Sequence, residues 1–150
     1  MPPAATNFRR PESVLVVVHT AHRVLLLRRA DAAGFWQSVT GSLEWNEDNP
    51  RQAAVRELRE ETGLAVLPEA LTDLALTQRY TIMPQWRARY APGVTENTEY
   101  GFAVAVDSEI PVVLSPEHAE FAWFEFPRAA ATVYSWSNRA AIEAIARNLG

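Results

Sequence analysis

Apolar positions along this chain follow two different periods. From Ser13 to Thr20 (SVLVVVHT) the residues are β-branched and nearly all apolar, which predicts a strand buried on both faces. Val24 to Leu27 (VLLL) predicts a second strand after a brief polar break, and Trp36 to Thr40 (WQSVT) alternates up to Gly41, predicting a short third strand that ends in a turn. From Asn49 the period becomes helical. Asn49 can cap, Pro50 suits the first helical position, Gln52 lies three residues beyond the cap, and Gly63 supplies the stop. Leu74 to Tyr80, Tyr100 to Val106 and Ala122 to Phe126 predict further strands, with an irregular loop from Arg87 to Asn97. Ser137 to Leu149 places Ala141, Ile142, Ile145 and Leu149 on one face, so a closing amphipathic helix is expected. Strands mixed with two main helices predict an α/β or α+β fold in one domain over residues 1–150.

Composition narrows the function. A hydrophobic content of 48% in 150 residues is enough for one closed core. The longest aliphatic run, Val14 to Val18, is far short of the roughly 20 residues that a membrane-spanning helix needs. The opening Met-Pro-Pro-Ala-Ala-Thr-Asn lacks the charged and apolar segments of a secretory leader, so a cytoplasmic location is the expectation. The absence of cysteine leaves only oxygen and His ligands for any metal. Eighteen acidic residues against fourteen basic give a net charge of −4, with no basic run to follow a nucleic-acid backbone, so duplex binding is not expected.

The chemistry concentrates in Gly41 to Leu64, GSLEWNEDNPRQAAVRELREETGL. In the predicted helix Glu57, Glu60 and Glu61 stand at i, i+3 and i+4 and share one face. Like charges at these spacings weaken a helix, which calls for a compensating cation or a lattice of ion pairs. One explanation is a solvated face with Arg56 paired to Glu60, although Arg before Glu is the less favourable order for an i, i+4 pair. The other is a site for Mg²⁺ or Mn²⁺, hard cations that take oxygen ligands and bridge to substrate phosphates.

Arg56-Glu57-Leu58-Arg59-Glu60-Glu61-Thr62-Gly63-Leu64 resembles, position for position, the second half of the Nudix hydrolase signature, and Gly41 with Glu47 fits the first half. The spacer Asp48 to Val55 has eight residues where the signature has seven, which brings the place of Glu47 into question and leaves the helical half intact. The resemblance implies a Nudix fold, a mixed sheet between helices, and an enzyme in which water attacks phosphorus with Mg²⁺ as cofactor, Mn²⁺ being a possible substitute. It implies that Glu57, Glu60 and Glu61 bind metal and that Arg56 orients a carboxylate through its fork of donors.

Phe35 to Gly41, Arg89 to Thr95 with Asn97 to Glu99, Glu117-His118 and Ser135 to Arg139 further resemble the branch of that family that hydrolyses a pterin triphosphate in bacterial folate synthesis. That branch implies Glu117 as a further metal ligand or proton acceptor, with His118 in a supporting place. It also implies substrate contacts at Thr40 and Ser135, each of which could equally make only local turn or cap bonds. Arg9 and Arg29 are candidates for triphosphate oxygens. A flat pterin would need an apolar slot, to which Trp36, Trp86, Trp123 or Trp136 could contribute. Two alternatives stay open: a broader nucleoside triphosphate pyrophosphohydrolase, because the signature reads only metal and phosphate, and a Nudix module that binds a nucleotide without cleaving it.

Overall fold

The computed structural model describes residues 8–149, so residues 1–7, read above as carrying no leader, lie outside the described part. The elements in chain order are β1 (Glu12–His19), β2 (Arg23–Arg29), β3 (Trp36–Gln37), β4 (Val39–Ser42), α1 (Pro50–Thr62), β5 (Thr72–Thr81), β6 (Glu96–Ala105), β7 (His118–Glu125), α2 (Phe126–Thr132) and α3 (Trp136–Leu149). Strand β1 is the axis of a mixed seven-stranded sheet. Along its whole length it pairs parallel with β6, from Glu12↔Thr98 to His19↔Ala105, and β5 closes that side antiparallel to β6. Its other edge is divided: β4 pairs with Ser13 to Val16, whereas β2 meets it at His19↔Val24. Strand β2 then carries β7 along one edge and β3 on the other. Because β4 and β2 share one edge of β1, the sheet parts between them.

The expectation that β1 is buried on both faces holds, and period-two alternation explains how. Val14, Val16 and Val18 pack with Ala53, Ala54 and Leu58 of α1. Leu15 and Val17 pack on the other face with Ala129 and Ala130 of α2 and Ala141, Ile142 and Ile145 of α3. Helices therefore cover both faces of the sheet. Among the described residues no helix is long and apolar enough to cross a membrane.

Helix α1 begins and ends as its sequence predicts. The Asn49 side chain accepts a hydrogen bond from the Gln52 N–H at 3.0 Å, and Pro50 opens the helix. Gly63 closes it at φ 81°, donating its N–H to the Arg59 carbonyl at 2.9 Å.

Four expectations are corrected. The third strand is split at Ser38, whose N–H donates to the Asn138 side chain at 2.8 Å, and Gly41 lies within β4, paired with Val14, instead of in a turn. Strand β6 starts at Glu96, four residues earlier than its apolar run, because its first polar side chains face a cleft. Phe126 leaves β7 and opens α2, a short helix whose Pro127 sits in its first turn. Leu149 is 50% exposed and stands off the buried face of α3.

Candidate active site

A cleft of about 1050 Å³ opens where the sheet parts. Strands β1, β4 and β6, the ends of β2 and β5, the loops before β7 and α3, and the side of α1 all contribute to its wall.

Glu57 and Glu61, one helical turn apart, point inward: Glu57 lines the cleft and Glu61 lies behind it, 2% exposed, with Oε1 lacking any hydrogen-bond partner. Burial pushes both carboxyls above the ordinary carboxylate range, Glu61 further because the Glu57 and Glu117 charges add to the effect. Gly41 is what lets Glu57 approach β4, since a Cβ there would fall on the Glu57 carboxylate. Two desolvated acids with an unpartnered oxygen are poorly compensated by the protein itself and suit a hard cation.

Arg56 organises the acids on the other side. Its Nε and Nη2 donate to Glu47 at 3.0 and 2.9 Å, Nη1 donates to Glu57 at 3.0 Å and Glu60 at 3.1 Å, and Nη2 also reaches the Ser42 carbonyl at 3.0 Å. The i, i+4 pair with Glu60 thus exists, but as one arm of a wider network. Glu47 is buried, and although burial opposes its charge, the Arg56 fork and the Glu44 N–H hold its carboxyl below the usual value. Asp48 and Asn49 of the longer spacer are exposed just before α1, and Glu47 ahead of them is bound to Arg56. Glu60 is exposed, is not part of the cleft wall and hydrogen-bonds Arg56.

Glu117 is exposed on the cleft rim, its carbonyl held by the Ala30 N–H at 2.9 Å, which joins the loop before β7 to the end of β2. His118 is buried beneath it. Its Nε2 is 3.2 Å from the Gln37 amide and 4.0 Å from Glu61 Oε1, and burial lowers its pKa, which favours the neutral ring. Glu57 and Glu117 line the cleft with Glu61 behind them, but among the described residues no three His, Asp or Glu side chains close on a common point.

Arg9, Arg29, Thr40 and Ser135 all line the cleft. Arg29 is engaged by Asp31 through two hydrogen bonds of 2.8 Å and lies over the rings of Phe35 and Trp86. Ser135 accepts the Asn138 N–H at 3.1 Å and so also serves as a local cap at the start of α3. Trp86 and Trp136 line the cleft, whereas Trp36 packs edge-on against Phe124 and Trp123 against the α1-side core.

Several cleft residues were not foreseen. Trp45 is 56% exposed in the cleft wall and donates its Nε1–H to the Phe8 carbonyl at 2.7 Å. Ser13, Tyr80, Asn97 and Glu99 form a polar patch where an apolar sheet face would be expected. The signals for that patch were the polar alternation Asn97, Glu99 ahead of an apolar strand and the place of Asn97 to Glu99 in the resemblance.

A mixed sheet between helices with an acid-bearing helix set against its parted edge defines a class of fold, and the comparisons agree with it. The chain belongs to the Nudix family, whose domain model matches residues 9–145. It is 48% identical over 140 residues to the dihydroneopterin triphosphate diphosphatase of Escherichia coli, covering 91% of this chain and 92% of that protein. The protein of the same name from Haemophilus influenzae is 38% identical over 147 residues, 95% of this chain and 92% of that one. The solved structure of the E. coli dihydroneopterin triphosphate pyrophosphohydrolase superposes with a TM-score of 0.87 at 46% identity, covering 94% of this chain and 98% of that one.

Proposed function

We propose that this protein hydrolyses dihydroneopterin triphosphate to the monophosphate and pyrophosphate, with Mg²⁺ as cofactor and Mn²⁺ as a possible substitute, in the cytoplasm. The observation that carries the reading is the pair of desolvated carboxylates, Glu57 set against Gly41 and Glu61 behind it, in a chain alike over nine-tenths of its length to proteins named for that reaction.

Glu57 and Glu61, with Glu117 from the opposite rim, are the side chains that would hold the cation, and the unpartnered Glu61 oxygen fits that role. Bound divalent cations supply neutralisation of the phosphate oxygens and a water of lowered pKa. Arg56 fixes the Glu57 carboxylate and also holds Glu60, which would join as a further ligand. Glu117, exposed on the cleft rim, would accept a proton from the attacking water. Arg9 and Arg29 would meet the phosphates, Arg29 by exchanging Asp31 for an oxygen of the substrate. Thr40 and Ser135 flank the same path and would hydrogen-bond the triphosphate or its carbon chain.

The test is product analysis. Dihydroneopterin triphosphate should yield pyrophosphate and not orthophosphate, the reaction should stop with excess chelator, and Mg²⁺ should restore it. Orthophosphate as the first product, or a rate indifferent to chelator, would reject the reading.

A further inference from the structure

The far end of the cleft is built from three strands. On the face of the sheet covered by α3, Ser13 of β1 stands in register with Glu99 of β6, and Tyr80 of β5 stands opposite Asn97. The Asn97 Nδ2 group is fully used, donating to Ser13 Oγ at 2.7 Å and to Tyr80 Oη at 3.0 Å. With the amide so engaged, its Oδ1 is a buried acceptor with no donor. Asn97 is 1% exposed and Glu99 5%, yet both belong to the cleft wall. Glu99 is pushed above the usual carboxylate range by burial, and among the described residues only the Ser137 hydroxyl steadies its charge, with no Arg or His in support. Its proximity also helps to raise the Tyr80 hydroxyl to about 12, after burial itself.

This end of the cleft therefore presents a carboxylate and an amide oxygen as acceptors, beside the Ser13 and Tyr80 hydroxyls. A buried acceptor without a partner costs free energy, and a carboxylate more, so the patch is made for a ligand that brings N–H groups. The geometry points to Glu99 and Asn97 as the residues that select the substrate's ring, by accepting from a heterocycle edge that carries adjacent N–H donors. The 2-amino-4-oxo-pyrimidine ring has such an edge: its N3–H and exocyclic NH₂ lie side by side and match the two oxygens of one carboxylate. Pterins and guanine have it in common. Adenine and cytosine set a ring-nitrogen acceptor beside the amino group, which would face the Glu99 carboxylate with lone pairs opposed. This inference rests on the proposed reaction for its substrate but concerns a different part of the cleft from the acids on α1.

The experiment compares the whole protein with Glu99→Gln, which keeps the shape and turns one acceptor into a donor. With Mg²⁺, kcat and KM are measured for dihydroneopterin triphosphate, GTP and ATP, and neopterin binding is measured by its fluorescence in chelator. Glu99→Gln should raise KM for the pterin and for GTP by about tenfold or more, the range expected for hydrogen bonds to a charged group, leaving kcat and the ATP parameters within about twofold and weakening neopterin binding. An equal loss on all three substrates, or no change on any, would overturn the assignment. Should the unaltered protein hydrolyse none of them, the proposed reaction fails and neopterin binding alone decides this inference: weaker binding in Glu99→Gln upholds it, equal binding overturns it.

Discussion

Replacing Glu61 by Gln is expected to lower turnover by at least ~10²-fold, the low end of what a positioned catalytic group contributes, without unfolding the protein. Glu61 is 2% exposed, its charge is disfavoured first by burial and then by Glu57, and Oε1 has no partner within the protein. Gln fills the same space and removes a charge that the fold does not compensate, so the melting temperature in chelator should hold or rise. Binding of Mn²⁺, read by its electron paramagnetic resonance signal, should weaken in parallel with activity. Turnover within about threefold of the unaltered protein would remove Glu61 from the metal site, because a loss that small is below the range of a catalytic ligand.

Arg56→Ala is expected to act on stability as well as on rate. The guanidinium is 22% exposed and serves Glu47 and Glu57, whose side chains are 5% and 12% exposed, so its removal leaves two acids buried without a partner. Breaking a buried pair by deleting one member costs ~3–5 kcal/mol. For a chain of this size that corresponds to a fall in Tm on the order of 10 °C. The Glu60 arm adds little, since that carboxylate is 55% exposed and screened by solvent. Arg56→Lys should recover part of the loss, because the charge returns without the fork that meets both Glu47 oxygens. Thermal unfolding followed by circular dichroism reads both variants, and an unchanged Tm in Arg56→Ala would show that the network is not structural.

The acid helix was the most legible part of the chain. Its cap, its stop and its three Glu residues follow from spacing, and the structure keeps all of these. What spacing could not give was which acids turn inward. At about 100° per residue, Glu57 and Glu61 lie about 40° apart whereas Glu60 falls about 60° to the other side of Glu57, and the sheet meets the first pair. The role of Gly41 was misread because a lone Gly after an alternating run signals a turn. Here its missing Cβ is used inside a strand to admit a carboxylate.

Residues far apart in the chain were harder to read. The division of one β1 edge between β4 and β2 creates the cleft, and no local pattern encodes it, since strand pairing is decided by packing. Ser13, Tyr80, Asn97 and Glu99 come together only through the registers of three strands. Glu117 could be placed from resemblance alone. Its position opposite Glu61 depends on the bond between its carbonyl and the Ala30 N–H, 87 residues earlier in the chain (117 − 30).

The central claim, a Nudix enzyme matched to a pterin triphosphate, is tested most directly by kcat/KM for dihydroneopterin triphosphate beside the four common nucleoside triphosphates, each with Mg²⁺. The account predicts a preference for the pterin over every nucleotide by roughly tenfold or more, about 1.4 kcal/mol of transition-state discrimination. Comparable values for all five substrates would contradict it, leaving a triphosphate hydrolase whose cleft does not read the ring.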